Sequence, residues 1–271
     1  MAESPLARIL LRLATGLTLA FIYLPLAVIA LYAFNETRTQ AWPINGLTLK
    51  WFGKAIDNPG VRSAFLESVK VAAGAMAVAL LLGTLAAFAV QRYRFFGRET
   101  ISFLVILPIA LPGIVTGMAL NATFRTVIEP LGVGLGLFSV IVAHATFCIV
   151  VIYNNVLARL RRTSRSIEEA SMDLGADPWQ TFRYITFPQL RTALLAGGLL
   201  AFALSFDEII VTTFTAGSIQ TLPIWIFVNL SRPNQLPIVN VAAIGVVLLS
   251  AIPVYLASRL TQESGILRRG R

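Results

Sequence analysis

Charge is scarce in this chain: 13% of its 271 residues are Asp, Glu, Lys or Arg, where an average soluble domain carries roughly a quarter. Hydrophobic residues make up 56%, and they fall in long uncharged blocks rather than at the spaced positions of a core-facing helix or strand. Cysteine occurs once, as Cys148 inside an apolar block, which excludes an intrachain disulfide. Histidine also occurs once, as His144, so the sequence holds no recognisable metal-ligand pattern and the expectation is that this chain binds no metal or cofactor of its own. No G-x-x-x-x-G-K-[ST] run is present, so nothing here cradles nucleotide phosphates. Intramembrane proteolysis is unsupported too. His144 has no serine partner in a G-x-S setting, and Asp207 is the only aspartate inside an apolar block.

What remains is apolar length. A helix needs about 20 predominantly apolar residues to cross a hydrocarbon core of about 30 Å, because each unpaired backbone group in lipid costs several kcal/mol. Six blocks qualify, running approximately Leu11–Phe34, Ser68–Val90, Ile101–Phe124, Leu135–Leu157, Thr192–Phe214 and Ile238–Ser258. The expected fold class is therefore all-α, a polytopic helical bundle in a membrane, forming a single transmembrane domain over residues 1–271 with a polar loop at 158–191. The first block is too long for a signal-peptide core and lacks a small-residue cleavage site before Asn35, so it is expected to remain as an anchor.

The net charge of +9 does not read as nucleic-acid binding, since the basic residues sit between apolar blocks and build no continuous patch. It reads as topology. The two ends and the even-numbered loops hold Arg8, Arg12, Arg92, Arg94, Arg98, Arg159, Arg161, Arg162, Arg165, Arg183, Arg191, Arg259, Arg268, Arg269 and Arg271. The opposite side holds Arg38, Lys50, Lys54, Arg62, Arg125 and Arg232. Positive residues are retained on the cytoplasmic side, which places both termini and the loop around Ile167–Leu190 inside. Trp42, Trp51 and Trp225 then fall near the outer interface, where indole rings are favoured.

The third block contains LPIALPGIVTG, in which Pro108 and Pro112 lack amide donors and Gly113 and Gly117 stand four residues apart. A kink is expected there. The small-residue pair fits close packing against a neighbour, with a moving gate as the alternative.

The polar loop is the most informative stretch. In SIEEASMDLGADPWQTFRYITFPQL, Ser166 can cap a first short helix with Glu169 reaching back to it, and Gly175 supplies a left-handed end. A second helix is predicted from Asp177 as N-cap, Pro178 at the first position and Gln180 at the third. Two capped helices at an angle make a rigid elbow beneath the spans. These residues resemble the cytoplasmic EAA motif of ABC importer permeases, matching at Glu169, Ala170, Ser171, Gly175, Ile185 and Phe187-Pro188, with Ser171 and Phe187 departing from Ala and Leu. The resemblance extends over nearly the whole chain to the permeases of spermidine/putrescine-type importers, carried by LPIALPGIVTG, HATFCIVVIYNN, EASMDLGADPWQTFRYITFP and SFDEIIVTTFTAG.

That resemblance implies a type I ABC importer permease fold in a bacterial inner membrane. It implies a homologous second permease as partner, two copies of an ABC ATPase holding the ATP and Mg, and a periplasmic or extracellular substrate-binding protein. It also implies that Glu168, Glu169, Ala170, Ser171, Gly175, Ala176, Asp177 and Pro178 belong to the ATPase-coupling elbow. The implied cargo is a small cationic amino compound such as putrescine or spermidine; 4-aminobutyrate and aminoalkylphosphonate permeases are similar enough to stand as alternatives. A secondary transporter or channel would explain six spans but not the elbow.

Asp207 and Glu208 stand inside the fifth block, about 23 Å from Thr192 at 1.5 Å per residue. An acidic group at such depth costs about 2.5 to 3.5 kcal/mol on insertion scales, so it must face a partner, a cavity or a transport path. Thr212 and Thr215 share a helical face with Glu208, which marks that face as the more polar one. The two readings are fixed negative charge offered to a cationic substrate, and pairing with Arg125, Arg232 or a partner subunit. His144, Asn121, Asn154 and Asn155 are further polar residues within the blocks. They fit either the same pathway or, more simply, interhelical hydrogen bonds.

Overall fold

The computed structural model describes residues 5–266. The topology signals Arg268, Arg269 and Arg271 lie outside the described residues. In chain order the α-helices are α1 (Pro5–Ala33), α2 (Lys50–Asp57), α3 (Pro59–Arg92), α4 (Arg98–Ala110), α5 (Gly113–Thr123), α6 (Leu137–Arg162), α7 (Ser166–Asp173), α8 (Pro178–Thr181), α9 (Phe187–Phe206), α10 (Ile210–Thr215), α11 (Leu222–Asn229) and α12 (Leu236–Ile266). The one non-helical pairing among the described residues is an isolated antiparallel bridge between Asn35 and Leu47. Five continuous helical stretches are long and apolar enough to cross a membrane, Leu6–Ala33, Pro59–Arg92, Leu137–Arg162, Pro178–Phe206 and Leu236–Leu260, and a bent pair makes six. The all-α polytopic expectation stands.

The bent pair is the third block. Helices α4 and α5 meet at 107°, far more than the expected kink. Pro108 is accommodated within α4, and the chain breaks at Leu111, which is extended at φ −83°, ψ 142°. Leu111 precedes Pro112, whose ring excludes the helical region for the residue before it, and Pro112 itself is extended at ψ 131°.

The fifth block also differs. The predicted second elbow helix is not separate: α8 runs through a π-helical turn, Phe182–Thr186, straight into α9. Pro188 would ordinarily break this junction, because it lacks an amide hydrogen and its ring crowds the carbonyl four residues back. The wider π-turn, closed by the Phe187 amide donating to Phe182 O, relieves that conflict. At the other end α9 stops at Phe206, so Asp207 and Glu208 sit in a break before α10 rather than on a continuous helix.

Two compact units are distinguished: Met1–Arg62 with Trp225–Val247, and Ser63–Ile224 with Leu248–Arg271. In the first, α1 presents an apolar stretch with none of it buried, Phe21 being 82% exposed, as suits a helix whose solvent is lipid. Beyond α1 the chain folds around Trp51, which is buried and donates its indole hydrogen to Asn35 O at 2.8 Å. Phe34 and Phe52 pack nearby with ring centroids 5.0 Å apart and planes tilted by 41°. Trp51 and Trp225 are therefore buried rather than displayed as interface anchors, while Trp42 is exposed.

The second unit is built on α3, α6 and α9. Its core joins Ala75, Ala79 and Ala87 of α3 to Phe147, Ile152, Tyr153, Val156 and Leu160 of α6, and to Leu190 and Ala201 of α9. Small residues allow the backbones to approach, which is how helices associate where lipid offers no hydrophobic contrast. A Cβ on Gly83 would lie 2.9 Å from Ile149 O. Tyr153, for which the sequence offered no role, donates from this core to Ser102 Oγ of α4 at 3.0 Å.

The small-residue pair of the third block does pack. A Cβ on Gly117 would stand 2.8 Å from Phe214 Cδ2 of α10, and Asn121 one turn later donates to Phe214 O at 2.6 Å. Gly117→Val is expected to force Phe214 aside and destabilise the bundle by about 1–3 kcal/mol, read as a lower apparent melting point of the detergent-purified protein. An unchanged midpoint would show that α5 and α10 are not held this closely.

Candidate functional site

Two polar constellations stand out in the second unit, one at the elbow and one around α10. At the elbow, α7 ends in two paired backbone bonds: the Ala176 amide donates to Ser171 O at 3.1 Å and the Gly175 amide to Met172 O at 2.9 Å. Gly175 adopts φ +91°, the left-handed conformation that this terminator needs and that glycine adopts without strain. The second cap forms as expected. Asp177 accepts from the Gln180 amide at 2.8 Å, and Gln180 Oε1 accepts from the Asp177 amide at 3.0 Å. Pro178 opens α8.

The first cap does not form as expected. Arg165 is the N-cap and supplies no side-chain hydrogen bond, Ser166 lies inside the first turn, and its hydroxyl pairs with Ser164 Oγ instead. Glu169 reaches Arg165 at 3.2 Å, with both side chains more than half exposed. Its neighbour Glu168 turns inward and accepts from Arg92 Nη2 at 2.7 Å and from Thr186 Oγ1 at 2.9 Å. Ala170 is exposed. Ser171, the departure from alanine, gains a hydroxyl partner in Thr181 at 3.2 Å, tying α7 to α8. Around these contacts Met172, Leu174 and Trp179 are exposed, Leu174 to 89%: an apolar surface on a rigid, capped element.

The second constellation centres on His144 in α6, which is fully buried. Its Nδ1 lies 2.8 Å from Ser205 Oγ and its Nε2 2.8 Å from Thr212 Oγ1. Thr212 commits its proton to Glu208 O at 2.8 Å, so its oxygen accepts from Nε2–H. One chain of bonds thus runs from α9 through the imidazole to α10. Glu208 closes it: its carboxylate accepts from the Val211 amide at 3.0 Å and caps the start of α10.

Asp207, by contrast, is exposed and makes no side-chain hydrogen bond or ion pair among the described residues. It lines a cleft of about 360 Å³ with Glu208, Leu200, Leu204 and Ser250, and the Ser250 hydroxyl oxygen is buried without a partner. Arg125 forms no ion pair with either carboxylate among the described residues, and Arg232 donates to Asn229 Oδ1. Thus Glu208 comes together with Thr212 and His144, Asp207 stands apart at the cleft, and Asn121 bonds separately to Phe214 O. Asn155 donates to Val151 O in its own helix. Thr186, Ser205 and Ser250 escaped the sequence reading, and Arg92 was read there only as a topology signal. Lone hydroxyls in apolar blocks and one arginine at a span end carry no local pattern.

Residues 79–263, which hold both constellations, match the family of binding-protein-dependent transport system inner membrane components. The chain belongs to that family. Its relatives include the putrescine transport system permease protein PotI of Escherichia coli, 33% identical over 253 residues that cover 90% of this chain and 89% of that one. The spermidine/putrescine transport system permease protein PotC of Haemophilus influenzae is 32% identical, with 90% and 93% covered. Among solved structures, a chain of a bacterial ABC transporter involved in import of the acidic polysaccharide alginate superposes with a TM-score of 0.67 at 16% identity, covering 97% of this chain and 99% of that one. A chain of the MetNI methionine ABC transporter gives 0.60 at 15% identity, covering 80% and 99%.

The fold is that of ABC importer permeases, and this chain is a multi-pass membrane transport subunit. Neighbours that carry an acidic polysaccharide and an amino acid share the backbone arrangement. The backbone arrangement alone therefore does not set the cargo. Within this permease the elbow and the α10 constellation are separate places: the first is exposed and rigid, the second buried except at the Asp207 cleft.

Proposed function

We propose that this permease forms half of the translocation pathway of an ATP-driven importer for a polyamine such as putrescine or spermidine. The observation that carries the reading is the kinship of nearly the whole chain with PotI and PotC, named for putrescine and spermidine transport. A homologous second permease completes the pathway, a binding protein delivers cargo, and two ATPase copies holding ATP and Mg supply the work. Both termini and the elbow face the cytoplasm, consistent with the arginine-rich loops on that side.

The elbow, Glu168 to Gly175 with Ala176, Asp177 and Pro178, docks on the ATPase. A docking element must transmit displacement without deforming, and the two caps and the hydroxyl pair of Ser171 and Thr181 supply that rigidity. Asp207 is the charge that faces the cargo. Glu208 is engaged in capping α10, and His144, Thr212 and Asn121 join α5, α6 and α9 with α10. An ammonium group carries three donors and no acceptor, which suits a free carboxylate beside a hydroxyl oxygen with no other partner.

Calorimetry on the binding protein paired with this permease is expected to show putrescine or spermidine as ligand, and uptake into proteoliposomes to follow the same selectivity. A binding protein that ignored polyamines would sink the cargo assignment. Asp207→Asn removes charge without disturbing the start of α10. It is expected to raise the KM for putrescine uptake by roughly tenfold, equivalent to about 1.4 kcal/mol. An unchanged KM would remove Asp207 from the pathway.

A further inference from the structure

The elbow is fastened to the spans by few polar contacts, and one side chain serves two of them. Glu168 and Ser171 are three residues apart and lie on one face of α7. Ser171 meets only α8, through Thr181. Glu168 reaches further. Its Oε1 accepts from Arg92, the last residue of the 34-residue helix α3, and from Thr186, the last residue of the π-turn that leads into α9. The ion pair is well enclosed, with side chains 13% and 14% exposed. The adjacent motif residue Glu169 is 56% exposed and pairs with Arg165, the N-cap of its own helix.

Two further details bear on movement. The Arg92 guanidinium engages Glu168 through Nη2 alone, and its Nε is buried without a partner. Arginine and carboxylate favour a two-point contact, so a small displacement of α7 would bring Nε into a second bond. There is room for it: a cleft of about 280 Å³ adjoins the pair, lined by Phe88, Arg92, Glu168, Met172, Phe182 and Thr186. The π-turn bearing Thr186 is the kind of irregular helical segment that accumulates at functional sites.

We propose that Glu168 is the positioning residue through which displacement of the coupling helix is divided between the second and fifth spans, the Arg92 pair alternating between one-point and two-point contact. This rests on the docking role given to the elbow above. Pushed by the ATPase, α7 moves α3 through Arg92 and α9 through Thr186 together, so the two spans open the pathway in step. Glu169, outside this network, serves the ATPase surface.

The test uses the complete importer, with this permease, its partner permease, the ATPase and the binding protein, in proteoliposomes, and reads ATP hydrolysed per putrescine imported. Glu168→Gln and Arg92→Gln are each expected to raise that ratio about tenfold, and the double variant no further than the worse single one, because both remove one interaction. Arg92→Lys, which keeps the charge but offers no two-point contact, is expected to recover only part of the coupling. The proposal is overturned if Glu168→Gln leaves the ratio unchanged, if the two losses multiply, or if Glu168→Gln no longer co-purifies with the ATPase, which would make it a docking residue. Failure of the wild-type permease to capture an ATPase would instead overturn the importer reading itself.

Discussion

Gly175→Pro is expected to abolish ATP-driven uptake while leaving the permease inserted in the membrane. Gly175 sits at φ +91°, and proline is locked near −65°, so the left-handed turn that ends α7 cannot form. The same substitution removes the amide that donates to Met172 O at 2.9 Å. No atom lies within 4 Å of the position a Cβ would take, so the damage is confined to backbone conformation and α7 is left misdirected rather than crowded. Gly175→Ala therefore isolates the conformational part. A non-glycine residue in this region costs about 1–2 kcal/mol, and a partial loss of coupling is expected. Gly175→Asn, which tolerates the left-handed region better, is expected to transport more than the alanine variant. Uptake falling by more than about tenfold for proline, with membrane yield retained, follows from a cost of about 3 kcal/mol or more at one exposed turn. Transport equal to wild type in Gly175→Pro would mean that the elbow does not carry the ATPase stroke.

The order of those three variants tests a feature that was legible in the sequence, and the reason is its locality. Gly175, Asp177, Pro178 and Gln180 act within one or two turns, so their pattern fixes their geometry wherever the chain goes. The apolar blocks were legible for a similar reason, since length and absence of charge are sufficient to mark a span. The inward turn of Glu168 was not legible, because it is decided by Arg92, 76 residues earlier. Ser166 and Glu169 made a plausible capping box on paper, yet Arg165 and Ser164 took their side chains instead. Pro112 announced a disturbance but not its size. The 107° bend follows from Leu111 and Pro112 both being extended. No proline or glycine marks the break at Asp207–Ile209. Glu208 makes it by capping α10 with its own carboxylate, a contact visible only once Val211 is in place.

His144→Ala is expected to be the most destabilising single change in the α10 constellation, and its mode of failure separates a structural joint from a transport residue. The ring is fully buried and is the only link in the chain that binds both Ser205 and Thr212. Removing it opens a cavity, strips Ser205 of its ring partner and leaves Thr212 Oγ1 without a donor. Interhelical hydrogen bonds in membranes are worth roughly 0.6 to 2 kcal/mol each, and truncation of a large buried side chain adds about 2 kcal/mol or more. A total near 3 kcal/mol corresponds to an apparent midpoint lowered by roughly 6–12 °C for a chain of this size. Ser205→Ala and Thr212→Val are each expected to cost less. Combined with His144→Ala they should add little, because the bonds they remove are already gone. A pathway histidine would behave differently: the midpoint would hold while the KM for cargo rose. The geometry favours the first outcome, since both ring nitrogens are already taken by hydroxyls. Among the described residues, the carboxylate of this region left without a hydrogen-bond partner is that of Asp207, two residues beyond Ser205, where α9 has ended; it, rather than His144, is where a KM change is expected.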